Sequence, residues 1–210
     1  MQITIFGATT LTGKQLVLDG LALHYTIVAF GRNVFTADFP ENPLLVLKNG
    51  ALFDDGDVLN ALQGSDAVIA ALEGAADGTD FTRSLGMKHI VTQMNHAGIR
   101  RIIALGAPGI LDGADEQMRM FDDDFPEEEI PVSAEHLKAL QWLETSGVEW
   151  TMFAAENIIA GSPNGEYTTQ INRLPDNGKN NVTAGNLALC CYRAIVHGEF
   201  IGMRVGIADQ

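Results

Sequence analysis

Near the start of the chain, Gly7-Ala8-Thr9-Thr10-Leu11-Thr12-Gly13 has the residue types and spacing to hold phosphate. The apolar stretch before it ends at Gly7, and Leu11, Gln15, Leu16 and Leu18 then open a helical pattern, so the order reads strand, tight turn, helix. A helix starting there leaves backbone N–H groups without partners at the positive end of its dipole, and the natural guest is a pyrophosphate. Gly7 lets the chain turn sharply, and Gly13 lets the helix lie close against the strand. Proton chemistry is harder to place. A phenol that delivers a proton needs an ammonium nearby to lower its pKa. The three tyrosines, Tyr25, Tyr167 and Tyr192, are followed four residues later by Ala29, Ile171 and Val196, so none has a lysine one helical turn away.

The elements that must position this turn alternate along the chain. Strands are expected at Tyr25–Phe30, Leu44–Leu47, Ala67–Leu72, Arg100–Leu105, Val148–Phe153 and Phe200–Ile207. Helices are expected after the first turn, at Val58–Leu62, from Thr79 to Ala97, from an N-cap at Ser133 to Ser146, and within Val182–His197. That pattern predicts an α/β fold, a doubly wound parallel sheet (Rossmann-like) with helices on both faces. Residues 1–210 then make a single domain, with an acidic loop at 106–131 and a substrate-side loop at 154–181. The Gly161–Asn181 stretch, with Tyr167 and Ile171 as its larger apolar groups, reads as a lid.

In a doubly wound sheet the end of the second strand faces the adenosine ribose. An acid there binds a 2′-hydroxyl and repels a 2′-phosphate, whereas an Arg pairs with the phosphate. Phe30-Gly31-Arg32 has no acid and one guanidinium, which points to NADP, with NAD less favoured. Glu73, after the fourth strand, would cost phosphate affinity unless its side chain turns outward.

These segments resemble the atypical short-chain dehydrogenase/reductases, of the NmrA-like and biliverdin-IXβ (flavin) reductase type. The opening turn is similar to their G-A-T-G-x-T-G, with Thr10 standing at the middle glycine. A Cβ there pushes phosphate outward, or its hydroxyl donates to it. Gln63-Gly64-Ser65-Asp66-Ala67-Val68-Ile69, His96-Ala97-Gly98-Ile99-Arg100-Arg101-Ile102-Ile103 and Leu143-Glu144-Thr145-Ser146-Gly147-Val148-Glu149-Trp150-Thr151 resemble three further family segments. The resemblance implies a cofactor bed of Gly7, Thr9, Thr10, Leu11, Thr12, Gly13, Arg32, Ala51, Leu52, Ala71, Leu72, Leu105, Gly106 and Ala155. The family's Asp-Val adenine pair falls on Ala51-Leu52, unless Asp54 or Asp55 has moved into that role; capping of the next helix by Asp55 or Asp57 is the alternative.

The family's serine after the fifth strand is replaced within Leu105-Gly106-Ala107-Pro108-Gly109. Its Pro-Pro-His after the sixth becomes Ala155-Glu156-Asn157. Asn157 and His136 are the remaining catalytic candidates, although His136 and Lys138 could equally sit on an exposed helix face. Hydride transfer to a flavin or quinone can draw its proton from solvent. The expectation is therefore an NADP-dependent oxidoreductase using NADPH to reduce a flavin, quinone or similar conjugated acceptor. The alternative is an NADP-reading sensor without turnover.

The formal charge is −14, with 13 basic against 27 acidic residues, which argues against nucleic acid and against anionic membranes as partners. Nine of the acids lie between Asp112 and Ile130, on a loop expected over the carboxyl edge of the sheet, where they would repel a dianionic acceptor or stay solvated apart from binding. The two adjacent cysteines, Cys190 and Cys191, suit neither a disulfide framework nor a metal site. With a strand beginning at residue 2, no leader peptide is expected, and a cytoplasmic location fits. The partner is a small-molecule acceptor; the oligomeric state is not legible.

Overall fold

The computed structural model describes residues 1–113 and 117–210. β1 (Gln2–Phe6) lies at the middle of an eight-stranded sheet, between β2 (Thr26–Phe30) and β4 (Ala67–Ala70). β3 (Leu45–Lys48) lies outside β2. Beyond β4 come β5 (Arg101–Gly106), β6 (Glu149–Ala154), β10 (Met203–Asp209) and β8 (Tyr167–Ile171). Every neighbouring pair is parallel except β10 with β8. A short parallel pair, β7 (Ile158–Ile159) with β9 (Val182–Thr183), stands apart.

The strands put alternate residues on two cores. Ile3 and Ile5 face α1 (Leu11–Ala22) and α5 (Ala184–His197), packing with Leu16, Val17, Leu187 and Tyr192. Phe6, one residue out of phase, faces α2 (Asp55–Leu62), α3 (Thr82–Ala97) and α4 (Ile130–Ser146), packing with Leu62, Ile90, Met94 and Leu143. Period-2 alternation thus covers both faces of the sheet with helices, the doubly wound arrangement expected. Far from the strand ends that matter below, buried Arg101 ties β5, β6 and α5 together. It donates to the carbonyls of Glu149 (2.8 Å), Glu199 (2.9 Å) and Ala194 (3.2 Å) and to Thr151 Oγ1 (2.9 Å). Burial lowers its pKa to about 10, so it stays charged at neutral pH.

Four expectations change. Helix α4 begins at Ile130, after a 3-10 turn at Glu127–Glu129, with Pro131 in its first turn. Proline's fixed φ and missing N–H suit that position, and Ser133 is a buried interior residue instead of the N-cap. Helix α3 starts at Thr82, three residues late, because the Asp80 carboxylate accepts the Thr82 N–H at 2.7 Å and holds the preceding turn open. The stretch read as a lid contains β8, whose Tyr167–Ile171 pairs antiparallel with Asp209–Val205. Its backbone is committed to the sheet.

The acidic stretch is pinned where it is described. Arg119 pairs with Glu156 just past β6 (2.6 Å), and Asp112 with Arg204 of β10 (2.9 Å), while Leu111, Met120 and Phe125 are buried. It crosses the carboxyl edge of the sheet at β6 and leaves Asp123, Asp124, Glu127 and Glu128 in solvent. Asp115 and Glu116 lie outside the described residues.

Candidate functional site: the crevice at the ends of β1 and β4

The chain winds outward from β1 through β2 and β3, then returns to build β4, β5 and β6 on the other side. Where the direction reverses, the two strand ends diverge and leave a crevice. Gly7 closes its floor. Its φ is +78°, and a Cβ there would lie 2.0 Å from the Ala71 carbonyl oxygen. A Cβ on Gly13 would meet the Gly7 oxygen at the same distance. Both glycines are therefore demanded by backbone approach, which brings the start of α1 down onto the end of β1.

At that helix start the N–H groups divide. Gly7 O accepts from Thr10 N (3.1 Å), and Thr10 Oγ1 accepts from Gly13 N (2.9 Å), so Thr10 is the N-cap. The N–H groups of Leu11 and Thr12 have no partner among the described residues. Unpaired amides at a helix N-terminus, with backbone in place of side chain at Gly7, fit a pyrophosphate. The Thr10 hydroxyl accepts inside the chain; its oxygen reduces the amides on offer by one.

A cavity of about 670 Å³ opens over this turn, within the range of small-molecule and cofactor sites. Gly7, Thr9 and Thr10 form its floor, Gly31 and Arg32 its far end, and Ala51, Leu52 and Phe53 one wall. Arg32 is exposed and has no carboxylate within ion-pair distance among the described residues. Ala51 has no free N–H to offer, since it donates to Asp57 Oδ2 (2.9 Å), while its carbonyl, which accepts from Asp54 N (3.1 Å), keeps one lone pair. The cap of α2 is Asp54, which accepts from Asp57 N at 2.9 Å, and neither Asp55 nor Asp57 fills that role. Asp55 turns away to His89 (2.7 Å). Adenine contact is left to the apolar surfaces of Leu52 and Phe53, and Phe53 was not singled out from sequence.

A smaller cavity of about 120 Å³ continues beyond Leu72 and Glu73, lined by Thr12, Ala71, Leu105, Gly106 and Ile158. His136 and Arg83 supply its polar side. His136 is buried, contrary to an exposed-face reading, and burial, with the Arg83 guanidinium second, pushes its pKa down to about 3. Its imidazole is neutral at physiological pH. Lys138 points the other way and pairs with Glu135 at 2.9 Å. Glu73 is exposed, as its place beside phosphate requires.

Four named residues stand outside both cavities, Gly13 because it is buried where α1 meets β1. Ala155 is buried in the core with Phe153 and Val182. Leu11 is exposed, and only its N–H is directed to the turn. Asn157 is exposed and donates from Nδ2 to the Asn180 carbonyl at 3.0 Å, fastening the neighbouring segment, so its side chain is spent away from the crevice. Arg83 went unnoticed. The signal was there: a cation in the first turn of a helix opposes the dipole and needs another reason to be present.

No tyrosine lines either cavity: burial pushes Tyr167 up to about 12 on its strand, Tyr192 is fully buried with its hydroxyl donating to Leu16 O, and Tyr25 packs against Tyr192. A depression of about 590 Å³ between α3 and α4, lined by Ser84, Lys138, Gln141, Trp142 and Thr145, adjoins the crevice and shares Phe81 and Leu85 with it.

A glycine-built turn feeding unpaired amides into the switch-point crevice of a doubly wound sheet defines a dinucleotide-binding protein. Residues 7–197 match the NAD(P)H-binding family model, and the chain belongs to that family. Among curated proteins, none is similar enough to count as a match. Solved structures share the fold at low identity. A candidate exported protein from Burkholderia pseudomallei is 24% identical, with 99% of each chain covered and a TM-score of 0.85. A candidate NADH-flavin reductase from Streptococcus pneumoniae is 20% identical over 100% of both chains, at 0.84. A short-chain dehydrogenase/reductase from Veillonella parvula, solved in complex with NADP, is 19% identical over 99% of this chain and 94% of its own, at 0.75. No helix among the described residues is long and apolar enough to cross a membrane.

Proposed function

We propose that this chain is an NADP-dependent oxidoreductase that reduces a flavin, quinone or similar conjugated small molecule. The observation that carries the choice of NADP is Arg32, an exposed guanidinium just past β2 with no carboxylate within ion-pair distance among the described residues. It suits a 2′-phosphate in charge and in fork geometry. Leu11 and Thr12 N–H groups hold the pyrophosphate, and Leu52 and Phe53 cover the adenine. The nicotinamide, when bound, supplies a hydride.

The chain's own contribution at the reducing end is polarity without a titrating acid. His136, neutral down to about pH 3, donates a hydrogen bond but holds no exchangeable charge near pH 7. The proton then comes from water, which suits an electron-poor conjugated acceptor and not a simple ketone or sugar. The Streptococcus pneumoniae protein's description as a candidate NADH-flavin reductase supports the same class of acceptor. We place the protein in the cytoplasm, in keeping with two cysteines that remain unpaired, and without nucleic acid or membrane as partners. The second reading, a sensor that binds NADP and turns nothing over, is favoured by the linings of the two cavities, which include no tyrosine to protonate a substrate.

Titration with NADPH and NADH, followed by absorbance of the reduced nicotinamide with flavins and quinones added, separates the two. Oxidation supports the enzyme; binding without oxidation across the panel supports the sensor. Arg32→Ala should weaken NADPH by about tenfold, the worth of one solvent-facing charge-assisted contact, and leave NADH unchanged. Equal loss for both would overturn the NADP assignment.

A further inference from the structure

Arg83 is only 7% exposed, yet no carboxylate lies within ion-pair distance of it among the described residues, and Asp80, whose carboxylate feels its charge, accepts instead from the N–H groups of Thr82 (2.7 Å) and Ala75 (3.1 Å). Two of its five donors go to neutral carbonyls, Nη1 to Ala75 O at 3.1 Å and Nη2 to Gly74 O at 2.9 Å. Its Nε is buried without a partner. Buried charges are ordinarily paired and buried donors ordinarily satisfied, so this guanidinium is dressed for an anion that the chain does not supply. His136 lines the same small cavity. The other walls are apolar apart from Thr12, with Glu73 exposed at the mouth.

We propose that Arg83 and His136 form a recognition corner for an acceptor carrying an ionised oxygen, a carboxylate or enolate conjugated to its reducible group. The guanidinium edge meets an oxyanion with directed donors, the neutral imidazole adds one more donor or acceptor, and about 120 Å³ of mostly apolar space admits one edge of a ring. The acceptor's role rests on the oxidoreductase reading; the anion preference does not.

The test is calorimetric titration of the NADP⁺-saturated protein, and of the protein alone, with two naphthoquinones that do not react with oxidised cofactor. Lawsone is ionised at neutral pH, and menadione is its uncharged methyl counterpart. Wild type should prefer lawsone by about tenfold or more, Arg83→Met should erase the preference to within roughly twofold, and Arg83→Lys should keep about threefold, having charge without the fork. Equal binding of the two by wild type overturns the proposal, as does a preference that survives Arg83→Met. So does loss of the folding transition in both variants, which would make Arg83 a brace for Gly74 and Ala75 and nothing more. If wild type ignores NADP⁺ while the Arg83-dependent preference persists, the anion corner stands and the dinucleotide reading falls.

Discussion

Replacing Thr10 by Ala should lower the stability of the ligand-free protein without weakening its hold on NADPH. The Thr10 hydroxyl accepts from Gly13 N–H at 2.9 Å and caps α1, while Leu11 and Thr12 keep their N–H groups free. Loss of an N-cap hydroxyl costs about 1 kcal/mol. In a domain of this size that is about 2–4 °C in Tm. The same substitution releases the Gly13 N–H toward a phosphate oxygen, so affinity should hold or rise, and NADPH should recover more Tm in the variant than in wild type. Thr10→Gly refines the measurement, since glycine costs only a few tenths of a kcal/mol at an N-cap and frees the same amide. Differential scanning calorimetry with and without NADPH, together with fluorescence titration, reads all three quantities. A Kd weakened more than about threefold, with Tm unmoved, would mean that the hydroxyl serves phosphate instead of the helix, and the assignment of the turn would fail.

Two further outcomes follow from the same crevice. His136 has a folded pKa near 3, below its ordinary 6.5, so as pH falls through 6.5 the unfolded chain takes a proton that the folded chain refuses. Stability from this group is complete above pH 6.5 and declines toward acid by up to about 1.4 kcal/mol per pH unit. His136→Gln should remove about 2 kcal/mol of the wild-type loss between pH 7 and pH 5 in urea denaturation, and an unchanged pH slope would show that the imidazole is not buried neutral. Glu73→Gln should tighten NADPH by about twofold to fivefold at low ionic strength, shrinking as salt screens the exposed carboxylate; a salt-independent change would point to packing instead.

The turn was legible because local rules specify it: apolar run, glycine where φ must be positive, small residues, helix. Gly7 and Gly13 could be singled out before any distance was known. The sheet was legible for a similar reason, since buried parallel strands such as Ala67–Ala70 read as unbroken apolar runs. Strand β8 was hidden because Tyr167-Thr168-Thr169-Gln170-Ile171 is only half buried and gains its partner from residues 205–209, close to forty positions away. The acidic stretch misled in the same way. Its charge density suggested solvation, which holds for Asp123, Asp124, Glu127 and Glu128, whereas Arg204 holds its start through Asp112 and its middle is held by the pair of Arg119 with Glu156. Asn157 shows the limit of positional transfer: the residue sits at the right place in the chain, but the Asn180 carbonyl claims its side chain.

The acidity of the whole and the anion-seeking character of the crevice are compatible because they act at different ranges. The net charge of −14 is spread over the whole surface, and salt screens it beyond about 8 Å under physiological conditions. Inside the crevice the charges are few and close: Arg32, the exposed Glu73 and Asp80 line the larger cavity, Arg83 the smaller one, and two amides at the turn are without partners among the described residues. Arg83 lies in a dry setting: burial first, and its own charge second, depress the pKa of His136 beside it. A ligand with anionic groups spaced to meet those positions satisfies each one locally. A bare phosphate meets only the amides and gains nothing at either end. Selectivity for a long ligand with anionic groups at separated points therefore follows from the placement of two guanidinium groups at opposite ends of one crevice in an otherwise acidic molecule.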